Sequence, residues 1–148
     1  MKISDFLSAA DAAIDVRAAD KVSLLRELAH RAARALNLPA AMVAAEIEKR
    51  DELGSTGIGC GVAIPHARLR EVKKPLALLA RLKSAIAFDA VDDQPVDLVV
   101  LLLLPASSQL DQLNALAAVA RKLRDVDVLR KMRSATSSTD LYRIVTEG

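Results

Sequence analysis

The sequence predicts an α/β domain in which helices cover both faces of one sheet. Three observations carry that expectation. The first third repeats apolar residues at helical spacing, the middle third holds apolar runs of strand length, and the last third returns to helical spacing. Helices, then strands, then helices is the order of a layered domain. The 148 residues have the size of one domain, expected over residues 1–148 without a linker or repeat. Apolar types form 52% and charged types 27% of the chain, an ordinary globular balance, and 27 alanines with 23 leucines favour helix.

Along the chain, Ile3, Phe6 and Leu7 fit one helical turn, and Ile14 and Val16 could begin an edge strand. Asp20 has the short acceptor side chain of an N-cap. After it Val22, Leu25, Leu28, Ala29, Ala32, Ala35 and Leu36 recur at three- and four-residue steps, with Arg26, Glu27, Arg31 and Arg34 on the wet side. Asn37-Leu38-Pro39 ends that helix, and Pro39 suits the first turn of another that runs to about residue 52. Leu76–Leu82 reads as a buried strand and Ile86-Ala87-Phe88 as a short one. Leu98–Leu104 is apolar throughout, the pattern of a strand covered on both faces, and Pro95 and Pro105 hold it to strand length. Leu110, Leu113, Leu116, Ala117, Ala120 and Leu123 form the stripe of a further helix, Val126–Met132 a shorter one, and Ser137-Ser138-Thr139-Asp140 a capping pattern before Leu141, Ile144 and Val145.

Composition removes several function classes. A net charge of +2 is too balanced to argue for a nucleic-acid or anionic-membrane partner, and 2% aromatics leave no stacking platform for single strands. The single Cys60 excludes an internal disulfide and fits a reducing cytosol. Asp5, Asp11 and Asp15 interrupt any signal-peptide core, and no apolar run approaches the roughly 20 residues of a bilayer span, so a cytoplasmic location is expected. One Cys and two His make no recognisable metal-ligand set, and neither metal nor cofactor is expected.

The texture changes sharply at Arg50-Asp51-Glu52-Leu53-Gly54-Ser55-Thr56-Gly57-Ile58-Gly59-Cys60-Gly61-Val62-Ala63-Ile64-Pro65-His66-Ala67-Arg68, where four of the five glycines fall within eight residues. Read chemically, the segment offers backbone N–H donors, two hydroxyls, two arginines and an imidazole. Glycine-rich turns cradle anions, arginine matches phosphate oxygens, and neutral histidine is a competent nucleophile near neutral pH. The natural guest is a phosphoryl group. Nucleotide loops do not fit. Gly54 and Gly59 have Walker A spacing but Cys60 stands where lysine belongs, and no G-x-G-x-x-G is completed.

The run RDELGSTGIGCGVAIPHARL resembles the signature of the phosphotransferase-system enzyme IIA family of the fructose/mannitol type (PTS EIIA type 2), and its wording is most similar to the nitrogen-regulatory branch. The resemblance implies a mixed sheet packed between helices. It also implies that His66 accepts a phosphoryl group from an HPr-like carrier protein, phosphoenolpyruvate and enzyme I being the ultimate source. Arg50 matches the family's site arginine, and Ser55 and Thr56 its hydroxyl pair. Many members carry a second site histidine after the long apolar strand. Here Gln112 stands in its place, able to donate a hydrogen bond but not to become cationic. Arg68 could compensate. Ile58, Val62 and Ile64 are candidates for a docking surface. Cys60 reads as a small residue filling a small space rather than a reactive thiol, and His30 as a surface or boundary residue. Three roles follow: regulation of target proteins, onward transfer to a sugar-transport IIB protein, or docking alone with transfer impaired by Gln112.

Overall fold

The structure is a computed structural model that describes residues 1–147. Eleven regular elements follow two 3-10 turns, Ile3–Asp5 and Ala9–Asp11: β1 (Ala12–Val16), α1 (Lys21–Leu36), α2 (Ala40–Glu52), β2 (Gly57–Gly59), β3 (Val62–Ala63), β4 (His66–Leu69), β5 (Leu76–Ile86), β6 (Val96–Pro105), α3 (Gln109–Lys122), α4 (Val126–Ser134) and α5 (Ser138–Thr146).

The sheet is mixed and runs β1-β5-β6-β3-β2, with β4 on the same edge of β6 as β3. β6 is central: β5 pairs antiparallel on one side, β3 and β4 parallel on the other. β1 pairs parallel to β5 and is the expected edge strand; β2 forms the opposite edge through an antiparallel hairpin with β3. Both edges are short, which limits pairing with other chains.

The apolar run of β6 is explained by its two buried faces. Val99, Leu101 and Leu103 pack with α1 and α2, while Leu98, Val100, Leu102 and Leu104 pack with α3, α4, α5 and the N-terminal turn. Each such side chain, fully buried, contributes about 1.5–3 kcal/mol. The two phenylalanines divide likewise, Phe88 into the first core and Phe6 into the second.

The expected caps are present. Asp20 accepts from the Ser23 N–H at 2.8 Å, Ser137 accepts from the Asp140 N–H at 3.0 Å, and Asn37 ends α1 in the left-handed region with φ 55°. Asp125, unmarked in the sequence reading, caps α4.

Three expectations are corrected. The buried face of α1 is Leu24, Leu25, Leu28, Ala29, Ala32 and Ala33, with Val22 and Ala35 exposed. Likewise α3 buries Gln112, Ala115 and Val119, with Leu123 just beyond its end, and leaves Leu110 and Leu113 in solvent. In both helices leucine and alanine occupy so many positions that the stripe's phase is not fixed by apolar type alone. Ile86-Ala87-Phe88 is not a separate strand. Ile86 ends β5, paired to Val96 beyond an irregularity, and Phe88 follows in a loop whose carbonyl is taken by side chains rather than a ladder.

Candidate functional site

β3 and β4 are one strand interrupted. Val62 and Ala63 pair with Leu98 and Val99, and His66 through Leu69 pair with Leu102 through Pro105, in the same register. Between them lies Pro65, which has no N–H to give a ladder. Its carbonyl still accepts from the Leu102 N–H. The break frees the Ile64 carbonyl, and His66 Nδ1 lies 2.9 Å from it. A carbonyl can only accept, so Nδ1 carries the proton and Nε2 keeps its lone pair.

Ala67 and Leu69 face the core beneath α1 and α2, so alternation sends His66 and Arg68 to the other side of β4. His66 is half-buried and Arg68 exposed. A cleft of about 160 Å³ opens here, lined by Glu46, Lys49, Arg50, Leu53, His66, Ala67 and Arg68. Burial first, then the charges of Arg50 and Arg68, hold the imidazole below its ordinary value of 6.5, against the opposing effect of the Ile64 hydrogen bond. His66 is therefore neutral and nucleophilic at neutral pH. Larger grooves of about 330 and 530 Å³ lie elsewhere, but neither contains a histidine or the cysteine.

The structure thus brings His66, Arg50 and Arg68 together. Arg50 Nη1 donates to the Gly54 carbonyl at 3.0 Å, which fastens the turn after α2. Among the described residues neither Arg50 nor Arg68 makes an ion pair, so both cations are open to an anion. Lys49 and Glu46 were missed by sequence reading. The four-residue spacing of Glu46 from Arg50 on α2, and of Lys49 from Leu53, which caps it, was the available signal.

The other expected site residues are placed differently. Ser55 Oγ donates to the Phe88 carbonyl at 2.6 Å and accepts from the Gly57 N–H at 3.1 Å. Thr56 is buried, and its hydroxyl has no partner within the protein. Neither lines the cleft. The glycine-rich segment is not an open cradle. The N–H groups of Gly54, Gly57 and Cys60 bond to the Asp51 carbonyl, Ser55 Oγ and Asp92 Oδ2. Its second half is the β2–β3 hairpin, lying beside the N-terminal part of β6 and away from His66.

Gln112 is buried, and its side-chain amide donates to the Pro105 carbonyl at 2.9 Å; it is not among the residues lining the cleft. Cys60 fills no small space: it is exposed at the hairpin tip with φ 57°. Val62 and Ile64 belong to the core, leaving only Ile58 of the proposed docking residues exposed. Leu53, 84% exposed at the mouth of the cleft, is the apolar side chain actually presented there. His30 is on the surface as expected. No described helix is long and apolar enough to cross a membrane.

Comparisons with known proteins concern the chain as a whole. The chain is 41% identical over 133 residues to a nitrogen regulatory protein of Escherichia coli (strain K12), covering 89% of this chain and 82% of that one. It is 36% identical over 126 residues to a PTS system fructose-specific EIIA component of Haloferax volcanii, covering 85% and 80%. The crystal structure of the nitrogen regulatory protein IIA-Ntr from Neisseria meningitidis superimposes with a TM-score of 0.92 at 30% identity, covering 97% of this chain and 99% of that chain. Residues 5–148 match the family described as phosphoenolpyruvate-dependent sugar phosphotransferase system, EIIA 2, and the chain belongs to that family.

Proposed function

We propose that this protein is a nitrogen-regulatory IIA component that accepts a phosphoryl group on Nε2 of His66 from an HPr-like phosphocarrier, and that its phosphorylation state alters its binding to regulatory protein targets. One observation carries the chemistry: His66 has its Nδ1 proton committed to the Ile64 carbonyl and its Nε2 lone pair left free, beside two arginines that have no carboxylate partner among the described residues.

In the transfer, the Nε2 lone pair attacks phosphorus on the donor's phosphohistidine. The new N–P bond forms as the donor's N–P bond breaks, and the donor imidazole leaves with the electron pair. Arg50 and Arg68 stabilise the charge spread over the phosphoryl oxygens, as preorganised cations do in a partly water-excluded site. The Ile64 carbonyl keeps the ring oriented throughout. Little acid–base work is needed, so alignment of the two imidazoles across the docking interface sets the rate. Ser55 and Thr56 act by shaping the turn, and Gln112 by fixing the start of α3 against β6. No metal or cofactor enters this reading.

The regulatory role is supported by the likeness to nitrogen regulatory proteins over nearly the whole chain. A sugar-uptake role, handing phosphate to a IIB component, is the second reading, favoured by the likeness to a fructose-specific component. The test is phosphate transfer in a purified mixture of phosphoenolpyruvate, enzyme I, the HPr-like carrier and this protein, read by intact mass. An acid-labile gain of one phosphate, lost in His66→Ala, is the expected result. A folded protein that gains none from its cognate carrier would overturn the proposal and leave docking alone as the account.

A further inference from the structure

We propose that Lys21 is a positioning residue of the phosphoryl-accepting site: its ammonium ties Asp51, at the end of α2, to the loop around Phe88, and so holds Arg50 and the turn that supports His66 in place. The inference rests on the reading of His66 given above, and adds to it a residue 45 positions away in sequence that does not touch the cleft.

The geometry is that of a hub. Lys21 Nζ lies 2.7 Å from Asp51 Oδ2, and both side chains are about 15% exposed. The same ammonium donates to the Phe88 carbonyl at 3.4 Å, sits 4.9 Å from the centre of the Phe88 ring and 3.7 Å from Asp89 Oδ2. The Phe88 carbonyl is shared, because Ser55 Oγ also donates to it at 2.6 Å.

From that carbonyl a chain of bonds leads to the imidazole. Ser55 is held by Phe88. The next residue, Thr56, accepts the Ile64 N–H at 2.9 Å through its carbonyl, and the Ile64 carbonyl accepts His66 Nδ1–H at 2.9 Å. On the other branch Asp51 follows Arg50 directly, and Arg50 closes the turn by donating to Gly54. One lysine thus stands where the support of the arginine and the support of the imidazole meet.

The surroundings make this ammonium hard to replace. Asp51 is largely buried, and its second oxygen, Oδ1, has no partner within the protein. Removing Lys21 would leave a carboxylate with little solvent access and no counter-charge, which is costly unless the surrounding turn opens to admit water. Opening there moves the last turn of α2, which carries Arg50, and loosens residues 53–56. A cation elsewhere on α1 would serve the stability of α1, but it would not couple these two supports.

The test compares Lys21→Met with Lys21→Arg by NMR titration of the imidazoles, together with the rate of His66 phosphorylation by the HPr-like carrier. His30, exposed on α1 and outside the cleft, is the internal reference. Lys21→Met is expected to raise the His66 titration midpoint toward the ordinary imidazole value, leave His30 unmoved, and slow phosphorylation on the order of tenfold or more, since small misplacements are costly in transfer reactions. Lys21→Arg is expected to recover most of both effects.

A folded Lys21→Met protein with an unchanged His66 midpoint and unchanged transfer would overturn the proposal and make the ion pair purely structural. Should Lys21→Met fail to fold, Asp51→Leu, which keeps the approximate shape but leaves the ammonium no side-chain oxygen on α2 to hold, is read instead. A wild-type His66 midpoint and rate in that variant would overturn the proposal equally. If wild-type protein accepts no phosphate, the reading of His66 falls, while the titration still decides whether Lys21 sets the surroundings of the imidazole.

Discussion

The two ends of the signature segment lie along the same edge of β6 and use arginine in opposite ways. At the hairpin end, Arg133 grips Asp97 with two nitrogens and donates to the Cys60 carbonyl at 2.6 Å. Its charge is matched, and the Asp97 carboxylate raises its already high pKa. At the cleft end, Arg50 and Arg68 have no carboxylate partner among the described residues, and their charges add to the burial that lowers the pKa of His66. The first arrangement is matched within the protein; the second, in the proposed function, is completed by the phosphoryl group. Arginine beside the motif is thus held in two ways, matched by a carboxylate at Arg133 and unmatched beside the imidazole at Arg50 and Arg68.

That contrast predicts its own largest effect. Arg50→Met is expected to slow phosphorylation of His66 by roughly a hundredfold, in line with removal of one preorganised charge-stabilising group. Arg133→Met is expected to leave the rate of the folded protein near wild type while lowering its melting temperature. Equal rate losses in the two variants, measured with the same carrier, would erase the distinction between the two ends.

Next comes the hairpin itself. A Cβ on Gly57 would lie 2.8 Å from Ala90 Cβ and 2.9 Å from Ala90 Cα, and backbone cannot yield as a flexible side chain can. Gly57→Ala is therefore expected to cost about 2–3 kcal/mol in denaturant unfolding. Gly61, with φ +76°, would meet the ends of Arg133 and Asp97 instead, so its alanine variant both strains the left-handed backbone and disturbs the ion pair. A phosphorylation rate that drops in folded Gly57→Ala would mean that the hairpin is part of the chemistry after all.

Gln112→Ala should cost a further step less, about 1–2 kcal/mol, because it strips a buried hydrogen bond from the Pro105 carbonyl. Urea titration of the variant measures it. A much larger loss of transfer than of stability would return Gln112 to the site.

The smallest effect is in pH. The folded pKa of His66 lies below its unfolded value of 6.5. Between those two values the unfolded chain binds more protons, so stability falls as pH drops through the unfolded value and the loss is complete below the folded one. His66→Gln removes that contribution. The stability of the wild type relative to His66→Gln is thus expected to decline from pH 7.5 to pH 5. A relative stability flat with pH would show that the imidazole is not held neutral by the fold.

What the sequence disclosed follows the range of the interactions involved. Caps at Asp20 and Ser137, the two-sided β6 and the helices on both faces depend on neighbours in sequence or on simple periodicity, and all were legible. His66, Arg50 and Arg68 were legible as a set because they fall within nineteen residues. The phase of α1 and α3 was not, because alanine and leucine populate several faces of each helix. Nor was the structural employment of Ser55, which depends on Phe88 across 33 positions, or the Lys21–Asp51 pair across 30. The glycines were read as an anion cradle since the type alone does not say whose oxygen takes each N–H. In the fold, Asp51 and Ser55 take the N–H groups of Gly54 and Gly57, and Asp92 takes that of Cys60.

The central strand also has a consequence for synthesis. Leu98 to Leu104 carries no charge and no glycine, and it emerges from the ribosome before the helices that cover half of it. Leu98, Val100, Leu102 and Leu104 wait for α3, α4 and α5. In that interval the nascent chain displays an uncharged β-forming segment of the kind that seeds aggregation. A version cut after Pro105 would have its β6 partners in place yet lack the cover for one whole face of the sheet, and would be expected to self-associate rather than persist as a smaller folded unit.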